Sequence, residues 1–189
     1  MRIASLAAAL SAALLLALPA WSVAAPDDHA GIAEVARLPV SLPQAITIAE
    51  AMSHANAVAA RLAAEPGKPV YEIETFGHGE MWQGRIDATT GRLLGTPVTT
   101  PGTGLGAAEA AKLMWLHDTA SVPLRRAVEI AERRSGGKAI ASTLTSAAGK
   151  LAYATKVVTG DRVETLRIDP QNGRVLANRA TPFGGARAG

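Results

Sequence analysis

The rhythm of apolar and polar positions changes twice along this chain, and in the same way each time. From Pro43, and again from Pro123 to Arg134, the spacing reads as a helix carrying an Ala-x-x-Ile-Ala-Glu run. Ser135-Gly136-Gly137 stops the second helix, and Lys138 to Thr145 then alternates with Ile140, Ser142 and Leu144 on one side, as a half-buried strand does. Ala55 to Glu65 is rich in alanine, so by propensity alone it would extend the first helix. Its later counterpart argues instead for a strand from Ala55 to Ala64, with Val58, Ala60 and Leu62 on one face. Strands are also predicted over Tyr71 to Phe76 and Leu151 to Val158, and over Met81 to Asp87 and Arg162 to Asp169. Gly77-His78-Gly79 and Thr159-Gly160-Asp161 read as the hairpin turns between them, and a last strand follows Gly91 or Gly173.

This parallel is a tandem repeat. Ala45 to Glu50 aligns with Ala127 to Glu132 at an offset of 82 residues (127 − 45), and the register holds without a gap. Tyr71 falls on Tyr153, Gly67-Lys68 on Gly149-Lys150, and Arg85-Ile86-Asp87 on Arg167-Ile168-Asp169. The predicted fold is α+β, a tandem duplication in which one helix, with a short helix before it, packs on a four-stranded antiparallel sheet. The first unit spans 25–95 with its core at 42–95, and the second spans 107–180 with its core at 124–177. Between them, 96–106 is rich in Thr, Pro and Gly and reads as a linker, while 181–189 reads as a mobile tail. Ala107 to His117 is the helix expected ahead of the second unit, and His29 to Arg37 is its weaker counterpart.

The most distinctive local signals are Asp87-Ala88-Thr89-Thr90-Gly91 and Asp169-Pro170-Gln171-Asn172-Gly173. In each, an aspartate at a strand end can accept backbone N–H groups, and a glycine four residues on supplies the positive φ that returns the chain to the sheet. Asp87, Gly91, Asp169 and Gly173 are therefore read as structural turn residues. A lone carboxylate with no second ligand or acid–base partner at useful spacing is poorly suited to metal binding or catalysis.

Met1-Arg2 followed by an uncharged Ala/Leu run from Ile3 to Leu18 has the composition of a secretory signal. The run ends at Pro19, short of a membrane span, and Ser22-Val23-Ala24 supplies a cleavage site of small residues. Residues 1–24 are read as the signal peptide, in preference to a cut after Ala25 that would place Pro26 next to the scissile bond. The mature product is expected in the periplasm or secreted, with no stable membrane insertion. The chain has no cysteine, so neither lipidation at the cleavage site nor a disulfide framework is open to it.

Composition narrows the function classes. Net charge is only +3, and the basic residues are dispersed, Arg125-Arg126 and Arg133-Arg134 being the densest pairs, without interleaved aromatics. Nucleic acid is therefore not an expected partner. The four histidines, His29, His54, His78 and His117, form no pair at helical metal-binding spacing. His78 with Met81, or Met114 with His117, are the remaining candidates for copper or haem; the alternative readings are a turn histidine and a helix-end histidine. No nucleophile elbow, Ser-x-x-Lys or phosphate-cradling loop occurs, so no catalytic residue and no cofactor is assigned. With aromatics at 4%, Trp82, Trp115, Tyr71 and Tyr153 are the large residues that can anchor a partner, weighed against a core role for each.

An export signal, the Ala-x-x-Ile-Ala-Glu helix, a hairpin, and a strand ending in Asp-x-x-x-Gly-Arg-x-Leu together resemble the PepSY domain, and the resemblance covers both units. It implies one helix on a small antiparallel sheet and a role outside the cytoplasmic membrane. PepSY domains occur in propeptides of secreted metallopeptidases, as inhibitors or folding aids, and in membrane or secreted proteins, and they bring no catalytic residues. No His-Glu-x-x-His and no peptidase follow here, so any inhibition is expected in trans. The duplicated helix-helix-sheet unit is also similar in outline to beta-lactamase inhibitory protein, whose paired sheets make a concave binding surface. Two function classes follow. One is a periplasmic binding or regulatory module docking a protein, such as a peptidase or sensor; the alternative is an accessory protein for a small ligand or metal, iron, haem or copper. An exposed apolar patch across both sheets would favour the first, and His and Met converging on one pocket the second.

Overall fold

The computed structural model describes residues 37–65, 68–147 and 150–182, together with Val35. Its helices are α1 (Leu42–Ser53), α2 (Ala107–Thr119) and α3 (Leu124–Ser135). Its strands are β1 (Asn56–Glu65), β2 (Lys68–Gly77), β3 (Glu80–Asp87), β4 (Val98–Pro101), β5 (Lys138–Ala147), β6 (Lys150–Thr159), β7 (Arg162–Ile168) and β8 (Val175–Pro182). The chain is α+β, with the helix-and-antiparallel-sheet unit repeated.

Local chemistry starts and stops these elements. α1 opens on a capping box, the Ser41 N–H donating to Gln44 Oε1 at 2.8 Å and the Gln44 N–H to Ser41 Oγ at 3.4 Å, with proline in the first turn. α3 ends at Gly136 in the left-handed region, φ 72°. At the equivalent position α1 ends on His54, also left-handed at φ 53°. The β2–β3 hairpin turns through His78 and Gly79, both at positive φ, which matches the right-handed twist of the flanking strands.

The two four-stranded meanders share one sheet. Its order is β4-β3-β2-β1-β5-β6-β7-β8, so the halves meet edge to edge at β1 and β5. The seam pairs Ala59 with Thr143, Ala60 with Ser142 and Arg61 with Ala141 in antiparallel register. α1 and α3 lie side by side on one face, each reaching across the seam to the other half's first strand. Ala45, Ile46 and Ala49 of α1 and Ala127, Val128 and Ala131 of α3 are fully buried against Tyr71, Ile73, Ile86, Leu144, Tyr153, Leu166 and Ile168. The alanines let both helices approach the sheet and each other, while each buried isoleucine or leucine contributes about 1.5–3 kcal/mol.

The first unit departs from the expected layout after Gly91. Leu93 makes one bridge to Ile86, the chain leaves the sheet at Gly95 (φ 70°), and it rejoins as β4 along Glu80–Gln83. A strand therefore lies inside the stretch read as linker, followed by a single 3-10 turn at Gly102–Gly104. The physical reason is the open outer edge of β3, whose backbone groups this return strand pairs. The Gly102 N–H also donates to the Gly79 carbonyl at 2.7 Å. In the second unit β8 follows Gly173 directly, and Thr181 and Pro182, read as the start of the tail, are its last residues.

The expected signal segment at 1–24, His29 with most of the helix at 29–37, and the rest of the tail lie outside the described residues. Among the described residues no helix is long and apolar enough to cross a membrane.

Candidate functional site

Asp87 Oδ1 accepts the N–H groups of Thr89 and Thr90 at 2.8 and 2.9 Å, and those two bonds, Thr90 first, hold its carboxyl below the usual aspartate range. Asp169 Oδ1 likewise accepts from Gln171 N–H at 2.8 Å. Gly91 and Gly173 take φ 72° and 73°, and a Cβ there would stand 3.3 Å from Ile48 Cδ1 and 3.0 Å from Ile130 Cδ1. Each turn thus clasps its unit's helix. The clasp is completed from the other side by the Val40 and Val122 N–H groups, which donate to the Ala88 and Pro170 carbonyls at 3.1 and 2.9 Å.

Tyr71 and Tyr153 belong to the same clasp, which corrects their reading as partner anchors. They are 2% and 1% exposed, and their hydroxyls donate to the Val40 and Val122 carbonyls at 2.9 and 3.0 Å. Burial pushes both phenols well up, with a smaller push from the carboxylate of the other half's helix, Glu132 on Tyr71 and Glu50 on Tyr153. Trp82 is half-buried over Gly84, where any Cβ would collide with its ring, and Trp115 packs half-buried against the core.

Two residues that sequence reading left without a role carry the helix–strand junction. Glu50 and Glu132, which close the repeated Ala-x-x-Ile-Ala-Glu run, accept the first free N–H groups of β1 and β5, from Ala57 at 3.0 Å and Ala139 at 2.9 Å. Their recurrence at the repeat offset was the available signal.

The histidines and methionines meet at one place. A cleft of about 610 Å³ lies between the end of α1, the β2–β3 turn and α2, lined by Glu50, His54, Asn56, Phe76, His78, Met114 and Asp118 among others. Its volume suits a small ligand. His78 shares it with Met114, whereas Met81 is 6% exposed in the core. The side chain of His117 is not among those described. Among the described residues no group of three or more His, Asp and Glu is placed to hold a metal ion, and none of Glu50, His54, His78 and Asp118 hydrogen-bonds another.

The second surface is the sheet face opposite α1 and α3. Strand registers place Arg85, Glu72, Arg61, Ala141, Lys156, Thr165 and Arg179 in one row across that face. Beside it runs a row of Gln83, Glu74, Ala59, Thr143, Ala154 and Arg167. In the first half the charges answer one another: Arg61 pairs with Glu72, and Gln83 Nε2 donates to Glu74 Oε1 at 2.9 Å. Burial raises the Glu74 carboxyl above its ordinary range despite that bond, and Glu109 of α2 adds to the rise. Among the described residues, exposed large apolar side chains are few and scattered, Val98 and Met114 among them, and make no apolar patch across the sheet.

With this geometry in view, comparison with known proteins gives one decisive match. The family model described as Peptidase propeptide and YPEB domain matches residues 39–96 and 121–179. The chain belongs to the PepSY family. The first matched segment runs through α1 and β1–β3 and stops short of β4, the second runs through α3 and β5–β7 into β8, and each holds its own Asp-x-x-x-Gly clasp. No curated protein matches this PepSY chain significantly. Among solved structures it is similar to a candidate lipoprotein from Clostridium difficile 630, at 21% identity and a TM-score of 0.45, over 75% of this chain and 93% of that one.

Proposed function

We propose that this PepSY protein is exported and works outside the cytoplasm as a non-catalytic binding module that docks a protein partner, acting in trans on a peptidase or a sensor. The observation that carries this reading is the two-sided sheet. One face is consumed by α1 and α3, and the other carries two rows across both repeats in which charged and polar side chains alternate with alanines, bordered on β5–β7 by Ile140, Val158 and Val163 under Val35. Such a broad, rigid face suits a protein surface better than a small substrate. The secretory composition of residues 1–24 supports the export part.

A second reading has its own observation. His54, His78 and Met114 converge on the 610 Å³ cleft, which favours capture of a small ligand or a soft metal ion.

One experiment separates them. The mature protein, from Ala25 onward, is used to capture material from a periplasmic extract, and copper, iron and haem are assayed on the same eluate. A stoichiometric protein that rebinds the purified chain supports docking. An eluate with no such protein but with bound copper, iron or haem would overturn docking in favour of the cleft.

A further inference from the structure

We propose that the cleft at the end of α1 holds a copper ion, in its cuprous state, between the imidazoles of His54 and His78 and the thioether of Met114. This rests on the second reading above, the cleft, and stands independently of docking. Among the described residues, His54 and His78 are the only non-glycine residues at positive φ, both at 53°. At the repeat offset the second half has Gly136 and Gly160, at φ 72° and 59°. Glycine enters that region freely, whereas a side chain crowds the backbone there. The first half therefore carries a steric cost at two positions where its sister avoids it. Both costs fall on histidine, and both histidines line one cleft of about 610 Å³. Strain kept at paired positions around a cleft, with an unstrained copy of the same scaffold alongside, points to a ligand for those side chains.

Geometry brings the pair within reach of one ion. Asn56 pairs with Phe76 at the end of the β1–β2 ladder, and a Cβ added at Gly77 would stand 2.8 Å from Ala55 Cβ, so these two residues lie opposite each other. His54 and His78 come next on the two chains, and directly opposed residues hold their Cβ atoms about 5 Å apart. All three ligands are exposed, Met114 at 60%, so an ion reaches them from solvent. Val35 packs beside Leu62, toward the other end of β1 from this cleft. The lining also holds Glu50 and Asp118 and, among the described residues, no lysine or arginine. That balance favours a cation and repels the propionates of haem. Among the described residues no three His, Asp and Glu side chains are placed to share an ion, whereas zinc takes four such ligands. Two imidazoles with a soft thioether suit Cu(I), which accepts a low coordination number.

The test offers the mature protein Cu(I) alone, delivered without oxygen from its coloured bicinchoninate complex, so that transfer is read as loss of colour while NMR follows the histidine ring protons. Expected is one Cu(I) per chain, shifts at His54 and His78, and a Kd at least about tenfold weaker in H54G/H78G and in M114L. H54G/H78G installs the residues that the second repeat carries, and it should melt at or above the parent. H54N/H78N also tolerates left-handed backbone and is the second variant without imidazoles. H29Q should bind as the parent does. Equal binding by the parent and both double variants, an undiminished M114L, or a loss in H29Q matching theirs would overturn the proposal. If the parent refuses Cu(I) but carries iron or haem that the double variants lose, the cleft reading stands and the copper assignment falls. If neither copper, iron nor haem distinguishes the parent from the double variants, the cleft reading falls with it.

Discussion

The Tyr71 hydroxyl donates to the Val40 carbonyl at 2.9 Å, tying the second strand to the residue just ahead of the helix cap. Tyr153 repeats the bond to Val122 at 3.0 Å. Replacing either tyrosine with phenylalanine keeps the ring and orphans a carbonyl, which costs about 1–3 kcal/mol. Urea denaturation of Tyr71→Phe and Tyr153→Phe should show losses of similar size, since the two environments match. A loss confined to one variant would mean that the clasps are not equivalent.

The glycine of each clasp is constrained twice, by φ near 70° and by the isoleucine above it. Gly91→Ala and Gly173→Ala should each lower stability by about 1–2 kcal/mol. Gly173→Ala should be the worse, because its Cβ would meet Ile130 Cδ1 at 3.0 Å against 3.3 Å for Ile48. Substitution by valine should cost more again at both, since a β-branched residue resists positive φ. Unchanged melting of the alanine pair would refute the clasp.

Thr75 is fully buried, and its hydroxyl has no hydrogen-bond partner. The second repeat has Val157 at the same place, also fully buried. Thr75→Val removes an unsatisfied polar atom at nearly constant volume and should raise stability by about 1 kcal/mol. A lower melting temperature would mean that the hydroxyl is satisfied after all.

Glu74 offers a pH test. Burial raises its folded-state carboxyl above the ordinary value, so the folded chain holds the proton more tightly than the unfolded one. Its favourable contribution is complete below the ordinary glutamate value, about 4.3, and is lost as pH rises through the raised one. Glu74→Gln keeps the acceptor for Gln83 and removes the charge. It should melt higher than the parent at neutral pH, with the gap closing as the pH falls below about 4. A gap that persists or widens in acid would mean the charged form is the favoured one.

The elements held by short-range chemistry were readable in one dimension. The helices at Leu42–Ser53 and Leu124–Ser135, the hairpins, and the Asp-to-Gly clasps depend on caps, alternation and positive φ within a few residues, and the repeat let each copy correct the other, as at Ala55 to Ala64. Burial of Tyr71 and Tyr153 was not readable, because an aromatic at a strand position serves equally well as anchor or core until its hydroxyl meets a carbonyl 31 residues away. The return of Val98–Pro101 to the edge of β3 lay hidden in a linker-like composition for the same reason. Above all, the seam between β1 and β5 joins residues some 80 positions apart through backbone bonds, which carry no residue code. That seam makes one sheet of two and sets Glu74 and Lys156 on one face, so that the balanced charges of the first repeat and the cations of the second share a single surface.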